Sequence, residues 1–86
     1  MLKNKEVAEA FYLRKYASNR NMMSTGDRLF SYYTCIAQNT SNYGIIGNST
    51  KYSRTTSTHL NYIRKYVTVW TTKEVPGGTQ SLINYI

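Results

Sequence analysis

The sequence contains little of the chemistry that most enzymes and metalloproteins use. It has one cysteine, Cys35, one histidine, His59, and four acidic residues among 86. One thiol cannot form an intrachain disulfide, and Cys35 with His59 cannot complete a zinc site from one chain. Paired carboxylates for acid–base catalysis are nearly absent, and no glycine-rich phosphate loop is present. The composition therefore predicts a protein that is not an enzyme and needs no metal or other cofactor.

Long apolar segments are also missing. No run approaches the roughly 20 apolar residues needed to cross a membrane. The first residues, MLKNKEVAEAF, carry cations without an apolar signal core, which argues against secretion. The expected location is the cytoplasm. A chain of 86 residues is expected to form a single small domain, 1–86, with a thin core.

Positive charge is the most informative feature that is present. Eleven Lys and Arg against four acids give a net charge of +7. The acids are Glu6, Glu9, Asp27 and Glu74, so none lies between positions 27 and 74. One sign of charge over half the chain favours an anionic partner, either nucleic acid or an acidic protein surface. A charge that serves only solubility is the alternative.

The N-terminal segment predicts a helix at about 4–17. Asn4 can cap it, and Val7, Ala10 and Phe11 form an apolar stripe of helical spacing. The polar, turn-rich residues 18–27 are expected to form a loop.

The middle of the chain predicts strands. LFSYYTCIA, residues 29–37, is rich in aromatic and β-branched residues and is typical of one continuous strand. The pair Gly47–Asn48 suits a tight hairpin turn, which places a return strand at 49–53.

KYSRTTSTHL, residues 51–60, marks the start of a second helix at about 57–66. Thr55, Thr56 and Ser57 are suitable N-caps. A strand at 67–72 and a tail, 81–86, that could add an edge strand complete the order α-β-β-β-α-β. This order predicts an α+β fold, an antiparallel sheet of about four strands with two helices.

Two stretches, LFSYYTCIA and NSTKYSRTTSTH, together form a distinctive pattern. The pattern resembles a family of small phage and mobile-element proteins without an established activity, whose shared core runs Leu-aromatic-Ser-Tyr-x-Thr-x-Ile-Ala and then Asn-x-Thr-x-Tyr-Ser-x-Thr-Thr-Ser-x-His. The matching positions are Leu29, Phe30, Ser31, Tyr32, Thr34, Ile36, Ala37, Asn48, Thr50, Tyr52, Ser53, Thr55, Thr56, Ser57 and His59. The resemblance covers about residues 28–66 and implies a phage or mobile-element origin and an α+β core.

Small size, few catalytic groups and this origin lead to a functional hypothesis. The protein is expected to act in the host cytoplasm as a phage accessory protein, an anti-CRISPR-like inhibitor of a host defence or nucleic-acid-processing machine. Its partner would be a host protein or nucleoprotein complex, with nucleic acid as a further candidate partner. The alternative is a nucleic-acid-binding module used in phage replication or regulation, although no known nucleic-acid-binding signature is present. The tail leaves homo-oligomerisation open.

The predicted binding residues are cations and tyrosines in and around the second helix. Cations can neutralise phosphates or acidic side chains, and tyrosines can stack on bases or anchor a protein interface. The candidate residues are Lys51, Arg54, Tyr62, Arg64, Lys65 and Tyr66.

A candidate anion seat lies at the start of the same helix. Thr55, Thr56 and Ser57 could hold a phosphate or carboxylate together with the free backbone N–H groups and His59, and Arg54 of the predicted binding residues could assist. The structural alternative for His59 is a hydrogen bond to a neighbouring strand or packing on an aromatic ring. A hydrolase, with Ser53 or Ser57 as nucleophile, would lack a nearby acid to orient the imidazole.

Overall fold

The chain folds as one six-stranded sheet with two helices. A computed structural model describes residues 2–86. The helices are α1 (Asn4–Tyr12) and α2 (Arg54–Asn61), and the strands are β1 (Tyr16–Ser18), β2 (Met22–Thr25), β3 (Arg28–Ser31), β4 (Thr34–Thr40), β5 (Gly44–Gly47) and β6 (Val69–Trp70). Strand order in the sheet follows chain order, and all pairs are antiparallel except the parallel pair β5–β6. The α+β class is confirmed, but the sheet is mixed and has six strands instead of about four antiparallel ones.

The first additional strands come from the region expected to be helix and loop. Helix α1 ends at Tyr12 rather than near residue 17, and Arg14 then adopts a positive φ of 60°, which stops helical propagation. The chain reverses into β1 and β2, which pair as a hairpin. Met22 and Ser24 are buried while Thr25 is exposed, so the polar segment hides a short alternating strand.

The segment LFSYYTCIA is a hairpin and not one strand. Strand β3 ends at Ser31, β4 begins at Thr34, and Tyr32 and Tyr33 form the turn with φ values of 53° and 89°. Two-residue hairpin turns favour positive φ at both positions, because that twist matches the flanking strands. Such positions normally carry Asn or Gly, so two tyrosines gave no turn signal. At this turn position Tyr32 is 47% exposed.

The pair Gly47–Asn48 does not form the predicted hairpin turn, and residues 49–53 form no strand. Gly47 ends β5, and a Cβ atom placed there would lie 2.7 Å from the ring of Trp70 and 2.8 Å from Val67. The absence of a side chain therefore lets Val67 and Trp70 pack directly on β5, beside which β6 lies in parallel. This glycine serves close packing instead of a turn.

Side chains of the loop after β5 replace the missing strand hydrogen bonds. The Asn48 amide donates to the Cys35 carbonyl at 3.0 Å and to the Tyr52 hydroxyl at 3.0 Å. The Thr50 hydroxyl accepts from the Val75 backbone N–H at 2.9 Å, and the Tyr52 hydroxyl donates to the Val75 carbonyl. The loop is thus fastened on one side to β4 and on the other to Val75.

Both faces of the sheet are covered. One face packs against the helices through Val7, Ala8, Phe11, Leu60 and Ile63, together with Leu29 and Ile36 of the sheet. The opposite face carries Phe30, Cys35 and Ile46 under Val75 and Leu82. Strand alternation explains the division, since neighbouring residues of β3 point to opposite faces. Residues 81–86 contain a short 3-10 turn, Ile83–Tyr85, and no edge strand, because Leu82 is needed to bury the second face.

Helix α2 begins earlier than predicted, with Ser53 as its N-cap. Ser53 is extended, with φ of −151°, and its hydroxyl accepts the Thr56 backbone N–H at 3.1 Å. The helix ends at Asn61, and a 3-10 turn, Arg64–Tyr66, follows. The predicted caps Thr55, Thr56 and Ser57 therefore all lie inside the helix, and none of them is its N-cap.

Replacing the observed cap should destabilise the fold. Ser53→Ala is expected to lower the free energy of unfolding by about 1 kcal/mol, because the Thr56 N–H loses its acceptor. Urea denaturation measures the difference. Thr55→Ala and Ser57→Ala are the matched controls and should change stability by less than about 0.5 kcal/mol. A larger loss in the controls than in Ser53→Ala would contradict the assigned helix start.

The tyrosine turn predicts a stabilising substitution. Tyr33→Gly should raise the free energy of unfolding by about 0.5–1 kcal/mol, since glycine adopts the positive φ without strain although it costs more chain entropy. Tyr43→Gly is the control, because this exposed tyrosine of the next turn is not among the residues with positive φ. If the two variants were destabilised equally, the turn would not be strained.

Candidate partner-binding surface

The four predicted cations are all exposed, and they fall into two groups. Lys51 and Arg54 lie at the start of α2, whereas Arg64 and Lys65 lie just beyond its end. The eight residues of α2 give a helix of about 12 Å between the groups. These four residues are called the basic surface below.

Arg64 is held in place by its neighbours. Its guanidinium carbon lies 5.1 Å from the centroid of the Trp70 ring, and its Nε donates to Asn61 Oδ1 at 3.1 Å. A cation over the face of an indole is attracted by the ring quadrupole. The guanidinium is therefore partly ordered while its remaining donors stay available to an external acceptor.

Lys65 sits beside a pair of stacked tyrosines. Its Nζ lies 5.1 Å from the centroid of the Tyr66 ring. Tyr66 stacks on Tyr12 of α1 with ring centroids 3.9 Å apart. Tyr66 is consequently half-buried and serves the packing of α1, whereas Tyr62 is 38% exposed. Of the two predicted tyrosines, Tyr62 has the more accessible ring.

One acidic residue, Glu74, lies closer to the start of α2 than its position in the sequence indicated. Lys51 lines a shallow depression together with Lys73 and Glu74. The fold brings this carboxylate near Lys51 although 23 positions separate them in the sequence. Arg54 is the first residue of α2, and the first turn of that helix contains no acidic residue.

The four residues of the candidate anion seat do not share one surface. Thr55 is exposed and Ser57 is half-buried, but Thr56 and His59 are in the interior. Thr56 and His59 already have hydrogen-bond partners inside the protein. Only Thr55 and Ser57 could therefore contact an external anion, because the side chains of Thr56 and His59 are buried.

His59 is the centre of a buried polar cluster. Its Nδ1 lies 2.7 Å from Ser31 Oγ of β3, and its Nε2 lies 3.2 Å from Asn4 Nδ2 of α1. Ser31 Oγ in turn donates to Thr56 Oγ1 at 3.4 Å, and Asn19 Nδ2 donates to Asn4 Oδ1 at 2.8 Å. The cluster therefore joins both helices to the sheet.

These contacts assign the protonation of His59. Asn4 Oδ1 accepts a hydrogen bond from Asn19, so the Asn4 amide nitrogen faces Nε2 and donates to it. Nε2 is then the acceptor, and Nδ1 carries the proton that is donated to Ser31. Burial lowers the pKa of His59, since the interior disfavours the charged form. The imidazole is neutral in the folded protein.

The hydrogen bond from His59 to strand β3 agrees with the structural interpretation of this residue. Its partner Asn4 is 55 positions away in sequence, so no local signal could have revealed it. The serine in contact with His59 is Ser31, not Ser53 or Ser57. His59 and Ser31 are each 1% exposed, and the imidazole donates to the hydroxyl instead of taking its proton.

Cys35 is an interior side chain, as its place in an apolar strand predicts. Its thiol donates to the Ala37 carbonyl at 3.2 Å, and burial raises its pKa to about 12. Within residues 2–86, no three His, Cys, Asp or Glu side chains are close enough together to hold a metal ion. Of the helices described, none is long and apolar enough to pass through a membrane.

A groove that the sequence did not reveal lies beside the tyrosine turn. It has a volume of about 410 Å³ and is lined in part by Tyr16, Arg20, Tyr32 and Tyr33. The tyrosines are 69%, 47% and 84% exposed in chain order. The helix predicted to reach residue 17 and the continuous strand predicted at 29–37 had separated these residues, so only the two unexpected hairpins bring them together.

The buried imidazole predicts a pH dependence of stability. The folded pKa of His59 is lowered, so between that value and the unfolded pKa of about 6.5 the unfolded chain binds more protons. Stability should be fully present above about pH 6.5 and should fall as the pH drops toward the folded pKa. Thermal melting between about pH 7.5 and 5 measures the effect.

The control is His59→Gln, because His59 is the only histidine in the sequence. This variant should be less stable at about pH 7.5 by about 1–3 kcal/mol, since Asn4 and Ser31 lose a matched partner. Its melting temperature should change less with pH over the same range. An equally steep pH dependence in the variant would assign the effect to other groups.

Comparison with known proteins places the chain in a family. No curated protein and no solved structure matched it. The model of a family of unknown function, DUF8033, matches residues 2–80. The match includes both helices and all six strands, so it extends beyond the patterned region 28–66. The chain belongs to the DUF8033 family.

Proposed function

We propose that this protein acts by binding, as a small accessory protein of a phage or mobile element that attaches to a host complex and disables it. The observation that carries the proposal is the basic surface: four exposed cations flank α2 in a stretch without any acid between Asp27 and Glu74. Such a surface fits an acidic protein face or a nucleic-acid-loaded machine. We therefore propose that the protein is an anti-CRISPR-like inhibitor that acts in the host cytoplasm.

The surroundings of Arg64 support an interface role. Arginine and aromatic side chains are favoured at the centres of protein interfaces. Arg64 lies over Trp70, and the exposed Tyr62 is close to it in sequence. Because Arg64 is already partly ordered, its immobilisation on binding would cost less entropy than that of a free side chain.

The interior position of the His59–Ser31 pair supports a non-catalytic function. Both side chains are buried and hydrogen-bonded within the cluster, so a substrate would have no path to them without unfolding of the cluster. The neutral imidazole has its free lone pair directed to Asn4 instead of to the serine hydroxyl. We propose that this pair stabilises the fold.

The alternative function is a nucleic-acid-binding module in phage replication or regulation. The same cations favour it, and salt separates the two cases. The affinity of a simple binder of duplex DNA should fall as the salt concentration rises. A plot of log affinity against log salt concentration should have a slope of roughly −0.9 per phosphate contact. A homo-oligomer remains compatible with either function, but residues 81–86 would not supply its interface as an edge strand, because they cover the protein's own sheet.

Charge reversal on the basic surface should abolish partner binding. The variant K51E/R54E/R64E/K65E is expected to lose capture of its host complex in a pull-down from host lysate, because the attraction becomes repulsion. Circular dichroism should stay unchanged, since all four side chains are exposed. The pull-down is repeated with nuclease, which removes the captured complex only if nucleic acid carries the contact.

The matched control reverses the same number of charges elsewhere. Lys3, Lys5, Arg14 and Lys15 are also exposed, and K3E/K5E/R14E/K15E gives the same net charge. This variant should keep most of the capture. Equal loss in both variants would mean that net charge and not the basic surface determines binding, and full capture by the first variant would reject the proposed surface.

A further inference from the structure

The tyrosine groove combines aromatic, amide and cationic side chains in one concavity. Its lining includes Tyr16, Arg20, Asn21, Tyr32, Tyr33 and Gln80. Arg20 supplies a positive charge, and no carboxylate is among the described residues of the lining. The volume of about 410 Å³ falls in the range of small-molecule sites.

The turn that presents two of the tyrosines is strained. Tyr32 and Tyr33 both have positive φ, a conformation that disfavours side chains with a Cβ. Tyr33 is 84% exposed, so burial of its ring does not compensate for the strain. Strain of this kind in an exposed turn points to a role for the side chain outside the fold.

The strained turn is braced on both sides. The Tyr32 backbone N–H donates to the Asn21 carbonyl at 3.0 Å, and the Gly78 N–H donates to Thr34 Oγ1 at 2.8 Å. The Tyr32 ring also leans on His59, with ring centroids 5.6 Å apart. The Tyr32 ring and the backbone of the turn are therefore held before any ligand arrives, which lowers the entropy lost on binding.

We infer that the tyrosine groove binds bases of single-stranded nucleic acid. Each tyrosine ring offers a stacking platform, and Arg20 can neutralise a phosphate. The Asn21 amide can pair with the edge of a base, and the Gln80 amide oxygen can accept from one, because the Gln80 nitrogen already donates to the Gly78 carbonyl. A sugar would also stack on tyrosine, but it would make no use of Arg20 or of the net charge of +7. The groove shares no residue with the basic surface, so this inference goes beyond the proposed function.

The test compares strands with and without bases. Fluorescence anisotropy measures binding of a labelled 12-nucleotide single-stranded DNA, the RNA of the same sequence, and an abasic strand of equal length. Loss of stacking on even one base costs about a tenfold change in affinity. The protein should therefore bind the base-containing strands at least about tenfold more tightly than the abasic strand.

Substitutions of groove residues test whether the preference for base-containing strands arises in the groove. Tyr33→Gly and Tyr16→Ala should each remove most of the preference for bases, while Arg20→Gln should keep it and lower the salt slope by about 0.7. The matched control is Tyr43→Ala, whose ring is 46% exposed but does not line the groove. It should bind like the unmodified protein. Because Tyr33→Gly relieves a strained turn, loss of binding in it cannot be attributed to unfolding.

Three outcomes would overturn the inference. One is equal affinity for abasic and base-containing strands, and another is a preference that survives both tyrosine variants. The third is binding of an oligosaccharide, but not of either strand, in the same assay. The variant K51E/R54E/R64E/K65E separates this result from the proposed function, since it should weaken all strands alike and leave the preference for bases intact.

Discussion

The burial of one neutral histidine is the constraint on which the arrangement of layers depends. His59 comes from α2, and its two ring nitrogens are matched to Asn4 of α1 and Ser31 of β3. An unmatched polar group in this position would cost about 1–3 kcal/mol, so each helix can sit on the sheet only where the partners meet. The apolar contacts supply the driving force, but they would tolerate small shifts of the helices. The polar cluster would not tolerate such shifts, because its hydrogen bonds would be lost. It thereby determines which side chains reach the surface.

The sequence predicts the parts of the fold that depend on local pattern. The apolar spacing of Val7 and Phe11 gives α1, and Leu60 of α2 meets the core together with Ile63, which lies just beyond the end of that helix. The α+β class and the outward direction of the four cations follow from the same patterns. Boundaries were less predictable. Ser53 competes with three other hydroxyl residues as a cap, and only the extended backbone at Ser53 decides between them.

Where the structure differs from the predictions made from the sequence, contacts between distant parts of the chain determine the local conformation. Tyr32 and Tyr33 look like strand residues, but contacts from Asn21 on one side and from residues 78–80 on the other hold them in a turn. Gly47 looks like a turn residue, but its missing side chain makes room for Trp70. In both places the contact that decides the conformation comes from a distant part of the chain. The tyrosine groove requires both the β1–β2 hairpin and the β3–β4 hairpin, and no local pattern predicts either of them.

Several side chains of the stretch 48–59 have an identifiable role in the fold. Asn48, Thr50 and Tyr52 fasten the loop to β4 and to Val75, and Thr56 and His59 belong to the buried cluster. Lys51 and Arg54, by contrast, are exposed.

The hydrogen-bonding side chains named here are thus directed inward, while the two cations are left to solvent. The turn shows the same division within two adjacent residues. The Tyr32 ring leans on His59, whereas Tyr33 is 84% exposed. The fold thus holds the first tyrosine as a support and leaves the second ring accessible to a ligand.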